Sequence, residues 1–256
     1  MPAPPRRAEI LGIPLAVSDY QEVIAWMLSM ILARSRGYLT AAAVNLVMSA
    51  REDPDVLRAV LGASLAVPDG QPLVWALRAL GNGTATRIYG PDLMAGFCES
   101  SPATPVYLYG GRTPEALELL SSRLRARFPG IAIAGGFSPP FRELTAEEQT
   151  SVIGEIDASG AEVVWVGTGQ PKQELWMHRM RPLLAAPLLV GVGAAFDFHA
   201  GLVPQAPPWM QRNGLEWTYR LSREPRRLWR RYARYNPLFL AEFAAQYARH
   251  RRRGSG

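Results

Sequence analysis

Val163-Val-Trp-Val-Gly-Thr-Gly-Gln-Pro-Lys-Gln-Glu174 decides the fold. Four apolar residues make a short buried strand, Gly167-Thr168-Gly169 turns the chain, and a helix runs on from Pro171. A strand that ends in glycines and feeds a helix is the unit of a parallel sheet, because parallel strands need a crossover between them.

The same unit recurs on both sides of this stretch. Toward the N-terminus, Val106 to Tyr109 reads as a strand ending at Gly110-Gly111, and Thr113-Pro114 opens a helix with a cap and an early proline. Leu65 to Val67 is a strand ending in Pro68-Asp69-Gly70, with a helix from Pro72 to Leu80. Tyr38 to Val44 and Ile131 to Ala134 read as strands, and Asp53 caps a helix from Pro54 to Leu61. Thr145-Ala-Glu-Glu148 is a capping box for a helix to Ala158. Leu188 to Val192 is the last strand, ending at Gly191-Val192-Gly193. At the start, Ile10 to Val17 reads as one strand, and Ser18 or Asp19 caps a helix through Ala33. The expected class is therefore α/β: a Rossmann-like, mostly parallel sheet with helices on both faces. Ligands of such sheets bind at the carboxyl ends of the strands, which singles out these glycine and Asp69 turns.

Composition bounds the function. Hydrophobic residues make up 48% and charged residues 20% of the 256-residue chain, which suits a full core. The single Cys excludes a disulfide framework, and three His with one Cys give no basis for a His/Cys zinc site. No apolar run reaches the roughly 18 residues of a membrane span. The opening MPAPPRRAEI has no apolar h-region, so the expectation is a cytoplasmic chain without a signal peptide.

Charge is concentrated at one end. The net charge is +6, yet residues 204–256 hold 12 Arg against 3 Glu, a net +9, which leaves −3 for residues 1–203. Two parts follow: a core over 1–203 and a helical, arginine-rich appendage over 204–256. Arg223, Arg226, Arg227, Arg230, Arg231 and Arg234 recur every three or four residues, one face of a helix at about 100° per residue. A second segment is expected after Pro237, with Phe239, Phe243 and Tyr247 at i, i+4, i+8. A basic helix with aromatic residues suits an anionic membrane surface at about 1 kcal/mol per basic residue. Nucleic acid, the competing polyanion, is set aside because the core is net acidic and offers no basic groove. A solvated charged face is the remaining alternative.

The motifs are less decisive one by one. Gly167-Thr168-Gly169 lacks the Gly-Lys-Ser/Thr of a Walker loop, and Lys172 stands where the third glycine of a dinucleotide fingerprint belongs. It fits a phosphate cradle or an ordinary turn equally. Asp69 fits a general base beside an open Gly70, though the pattern alone suits a turn or cap residue better. Asp53-Pro-Asp55 imitates the D-x-D of metal-dependent sugar transferases but reads as a helix start. Arg87 and Asp92 flank a turn and fit a sugar or phosphate contact or a structural ion pair.

Together the motifs carry a resemblance. Pro68-Asp-Gly-Gln71, Arg87-x-x-Gly-x-Asp92, Gly167-x-Gly-x-Pro-Lys-Gln-Glu174, Gly191-Val-Gly-Ala-Ala-Phe-Asp197, Ala206-Pro-x-Trp209 and Gly214-Leu-Glu-Trp217 with Arg220, Arg227 and Arg231 occur in order. From about Ile10 to Leu240 the chain resembles the WecG/TagA/CpsF glycosyltransferases, the bacterial N-acetylmannosaminyltransferases and their relatives. The resemblance implies transfer of a sugar from a UDP-sugar to a lipid-linked acceptor at the inner face of the plasma membrane. It implies inversion, no metal or other cofactor, Asp69 as base, and a C-terminal appendage that touches the membrane. Glycans of the cell wall or exopolysaccharide are the implied products.

In that frame the substrate-binding candidates are Thr40, Asn45, Gly70, Gln71, Arg87, Asp92, Arg220, Arg227 and Arg231. The nucleotide-binding candidates are Gly110, Gly111, Gly167, Gly169, Gln170, Gln173, Gly193 and Asp197. The family's Thr-x-Asn pattern falls here on Ala41-Ala42-Ala43, so its polar contact is either missing or supplied by Thr40 and Asn45. That leaves the donor open between an N-acetylmannosamine-like sugar and UDP-glucose or another UDP-hexose. Self-association is also left open. Two other classes compete: a Rossmann oxidoreductase, which lacks its fingerprint here, and a non-catalytic membrane or nucleic-acid adaptor, for which Asp69 would be idle.

Overall fold

The structure, a computed structural model, describes residues 3–254. It opens with an antiparallel hairpin of β1 (Arg7–Ile10) and β2 (Ile13–Ala16). The single strand expected over 10–17 is thus two, because Leu11 and Gly12 both turn through positive φ, 51° and 88°. Helix α1 (Tyr20–Leu32) starts as expected at Asp19, whose carboxylate accepts the Glu22 N–H at 2.9 Å.

The rest alternates. In order come β3 (Gly37–Ala42), α2 (Val44–Glu52), α3 (Pro54–Leu61), β4 (Leu65–Pro68), α4 (Gln71–Ala79) and α5 (Gly90–Ser100). They are followed by β5 (Val106–Gly110), α6 (Pro114–Arg127), β6 (Ile133–Phe137), α7 (Ala146–Ala158), β7 (Val163–Gly167), α8 (Lys172–Met180), β8 (Leu188–Gly191) and α9 (Ala195–His199). Helices α2, α5 and α9 were not expected from the sequence, and none has a side-chain cap on its preceding residue, Ala43, Tyr89 or Ala194.

Six strands form one parallel sheet in the order β4-β3-β8-β7-β5-β6. Both faces are covered, as expected. Alternate strand residues go to opposite layers. Leu39, Ala41, Val163, Trp165, Leu188 and Val190 face α1, α5, α6 and α9 through Val23, Phe97, Leu117 and Phe196. Tyr38, Val164, Val166 and Leu189 face α7 and α8 through Val152, Ile156, Trp176 and Met177.

The C-terminal segment departs from expectation in two ways. Its helices are α10 (Pro208–Arg212), α11 (Glu216–Arg223) and α12 (Pro225–Gly254), so Arg223 belongs to one helix and Arg226 to the next. The arginine stripe over 223–234 is therefore not one continuous face. Helix α12 also runs through Pro237 instead of ending there. Phe239 is 3% exposed in a cluster with Leu46, Val47 and Leu73, and Tyr235, Leu238 and Phe243 pack against it. This packing holds the helix across a proline that removes one backbone donor. Arg234 pairs with Glu52 of α2 at 2.8 Å, and the Tyr235 hydroxyl donates to the same carboxylate at 3.0 Å.

Candidate functional site

The carboxyl ends of β3, β4 and β8 meet around the backbone of Ala41 and Ala42. On one side the Asp69 N–H donates to the Ala42 carbonyl at 2.8 Å. On the other the Gln170 amide donates to the Ala41 carbonyl. Candidates from two distant motifs, Pro68-Asp69-Gly70 and Gly167–Glu174, thus converge on the end of one strand, where ligands of such sheets bind.

Asp69 follows β4, and its Oδ1 accepts the Gly90 N–H at 2.8 Å, where α5 begins. A side chain at Gly90 would collide with the Val192 carbonyl, at 2.9 Å, so glycine there brings α5 onto the turn after β8. Arg87 donates to the Asp69 carbonyl oxygen through Nε and pairs with Glu216 of α11 through Nη2. Its guanidinium lies 4.1 Å from the centre of the Tyr89 ring, and the Tyr89 hydroxyl donates to Glu216 at 3.0 Å. The Tyr20 hydroxyl accepts the Tyr89 N–H at 2.9 Å.

These surroundings tune the carboxyl. Burial pushes the Asp69 pKa up to about 6; Arg87, the Gly90 N–H and Arg220 oppose that rise, and Glu216 adds to it. A carboxylate with that pKa is ionised at neutral pH and is more basic than an ordinary aspartate, which suits proton acceptance.

A second polar group lies on the helical side. Gln173 and Glu174 of α8 are fully buried, as is Thr40 of β3. The Gln173 carbonyl accepts the Gly193 N–H at 2.9 Å, which fixes the turn after β8. The Thr40 hydroxyl donates to Glu174 Oε1 at 2.6 Å, and Thr40 has no exposed surface. Asn45, in the first turn of α2, is partly exposed.

The remaining candidates divide. Gly70 caps α4 with its backbone and Gln71 begins that helix; both are partly exposed. Asp92 is exposed, with the Tyr20 hydroxyl at 3.5 Å. A side chain at Gly110 would meet the Gly167 backbone at 2.8 Å, and one at Gly167 would meet the Phe196 ring at 2.5 Å, so both glycines serve close packing. Gly111, Gly169 and Gly193 adopt positive φ, with open space beside Gly169. Asp197 is held through two bonds of 3.0 and 2.9 Å by Arg112, a residue outside the motifs. Arg220 borders a small cavity with Asp197 and Glu224. Arg231 has a buried Nε without a hydrogen bond among the described residues. Arg227 lies in α12, but its side chain is outside the described part of the structure.

Three helices at this edge, α2, α4 and α8, start without a side-chain cap; the Leu46, Leu73 and Gln173 N–H groups are taken by the Ala43, Gly70 and Gly169 carbonyls, and Pro72 has no N–H. Among the described residues, no three His, Cys, Asp or Glu side chains are grouped as metal ligands. No described helix is long and apolar enough to cross a membrane.

Comparison with known families makes the class specific: this is a glycosyltransferase, with a sugar donor and an acceptor. The family model described as Glycosyl transferase WecG/TagA/CpsF family matches residues 8–253, nearly the whole chain. The chain belongs to that family.

Proposed function

We propose that the protein moves a hexose or N-acetylhexosamine, N-acetylmannosamine-like, from a UDP-sugar to a polyprenyl-diphosphate-linked sugar, with inversion and without a metal ion. The observation that carries this reading is the Asp69 carboxyl, raised to about 6 and held by Gly90 at the end of β4. The acceptor oxygen attacks the anomeric carbon, its proton passes to the Asp69 carboxylate, and the bond to UDP breaks on the opposite face. One displacement with one base inverts the centre. The growing diphosphate charge is met by Arg220 and by the N–H groups of Gln71 and Lys172, the first residues of α4 and α8.

The acceptor's lipid calls for a protein that sits on the membrane. Trp209, Trp217 and Trp229 are 54%, 38% and 51% exposed in the C-terminal segment. Arg226 and Arg230 are exposed beside them on α12. Exposed indole rings with arginines suit the headgroup layer of an anionic leaflet. The protein then acts at the cytoplasmic face as a peripheral enzyme of surface-polysaccharide synthesis.

A panel of UDP-sugars with a polyprenyl-diphosphate sugar acceptor, read by UDP release in the presence and absence of chelator, tests this. Turnover with an N-acetylhexosamine donor in chelator is expected. Turnover with UDP-glucose alone moves the donor to a hexose, and no release with any UDP-sugar overturns the reading.

A further inference from the structure

We propose that Glu174 is a positioning residue of the donor site, holding the Gln173 amide so that Gln173 fixes the Gly191–Gly193 turn. The inference deepens the proposed function and rests on it for the identity of the donor.

The geometry is specific. Glu174 Oε1 accepts two hydrogen bonds, from the Thr40 hydroxyl at 2.6 Å and from the Gln173 amide at 2.8 Å. The other end of that amide, its carbonyl, accepts the Gly193 N–H at 2.9 Å. Both ends of the Gln173 amide are therefore fixed. Turning it over would set its carbonyl against Glu174 and its NH2 against the Gly193 N–H. A side chain at Gly191 would lie 2.8 Å from the Gln173 nitrogen, so the glycine lets the amide seat against β8. Thr40 and Gly191 are opposite each other in the β3–β8 ladder, which brings all four residues to one level of the sheet.

Glu174 has no exposed surface, and its Oε2 is buried without a hydrogen-bond partner. An ionised carboxylate would leave that oxygen without compensation. Burial pushes its pKa up to about 7, so a proton is retained on this carboxyl well above the ordinary range. The protonated form removes the cost of a buried charge and keeps Oε1 as the acceptor for both donors. Glutamine offers the same acceptor in the same shape, whereas alanine removes it and leaves two buried donors unpaired.

Amide exchange at Gly193 and UDP affinity by calorimetry test this in wild type, Glu174→Gln, Glu174→Ala, Gln173→Ala and the Glu174→Ala/Gln173→Ala double variant. Glu174→Ala is expected to speed Gly193 exchange about tenfold and to weaken UDP binding about tenfold, a difference of about 1.4 kcal/mol. Its donor KM should rise while kcat falls less than about threefold, because Glu174 touches no reacting atom. Glu174→Gln should restore both readouts to within about threefold of wild type, and the double variant should be no worse than Gln173→Ala alone. If Glu174→Ala does not fold, Thr40→Val, which removes one donor and keeps the shape, should speed Gly193 exchange about threefold. Unchanged Gly193 exchange in a folded Glu174→Ala or Thr40→Val variant overturns the proposal, as does full additivity in the double variant. A wild type that binds no UDP overturns the donor reading alone, since Gly193 exchange still reports on Glu174.

Discussion

Glu216 of α11 and Arg87, which precedes α5, form an ion pair of 2.5 Å that ties the C-terminal segment to the residue beside Asp69. The two side chains are only 13% and 16% exposed. The Asp69 carboxylate faces the same guanidinium, so Arg87 answers two acids at once. The sequence left Arg87 open between a substrate contact and a structural ion pair, and the structure pairs it with Glu216.

Removing one partner of a mostly buried pair leaves the other charge uncompensated. Glu216→Ala is expected to destabilise the protein by on the order of 3 kcal/mol, read from the denaturation midpoint. Glu216→Gln should cost less, because it keeps an acceptor for the Tyr89 hydroxyl. A loss near zero for Glu216→Ala would mean that Arg87 is held by Asp69 alone.

The pH dependence follows from Asp69. The base works only when ionised, and its pKa is raised to about 6. Transfer is therefore expected to be level above that pH and to fall about tenfold per pH unit below it. The pH profile of kcat/KM, which reports the groups of the free enzyme, checks this. A rate that stays flat down to the ordinary aspartate range would separate Asp69 from proton transfer.

The last helix is part of the folded body. Phe239 shares its cluster with α2 and α4, so Phe239→Ala should cost about 3–5 kcal/mol. Removing residues 204–256 would uncover that cluster as well as break the Arg87–Glu216 and Arg234–Glu52 pairs. Thermal unfolding of Phe239→Ala gives the answer. An unchanged melting temperature would make α12 a detachable appendage.

Membrane contact should depend on arginines that are free of the body. Arg234 is spent on Glu52, whereas Arg226 and Arg230 are exposed. The Arg226→Glu/Arg230→Glu double variant is expected to lose binding to anionic vesicles at low salt, and wild-type binding should fade at high salt. Co-sedimentation measures both. A wild type that ignores anionic vesicles at low salt contradicts the membrane reading.

What was legible in the sequence was local. The starts of α1, α3, α6 and α7 were read from Asp19, Asp53, Thr113 and Thr145, each of which accepts a backbone N–H from its own helix. β5, β7 and β8 stood out as apolar runs ending in glycine, whereas β6 lies two to three residues later than the 131–134 expected, with Gly135 and Gly136 inside it. The helices missed, α2, α5 and α9, lack a capping signal, since Ala43, Tyr89 and Ala194 cap nothing with their side chains. The hairpin turn was hidden because Leu11, a branched residue, takes a positive φ that its type seldom adopts.

The site was legible as a set of motifs but not as a set of roles. Glu174 closes a motif in the sequence with no role assigned to it; the register of β3 against β8 shows that Thr40 and Gln173 enclose it. Glu216 stood in a motif with no partner named, because Arg87 lies more than a hundred residues away in the chain. Tyr20, Tyr89 and Arg112 are placed by packing, for which no spacing rule exists.

The central claim is that Asp69 is the base, and Asp69→Asn tests it most directly, with transfer and UDP binding measured on the same folded protein. The amide keeps an acceptor for the Gly90 N–H but cannot take a proton at neutral pH. The account predicts a loss of transfer of about 10³-fold with UDP affinity within about threefold of wild type. A folded Asp69→Asn variant that transfers sugar at near the wild-type rate would contradict it.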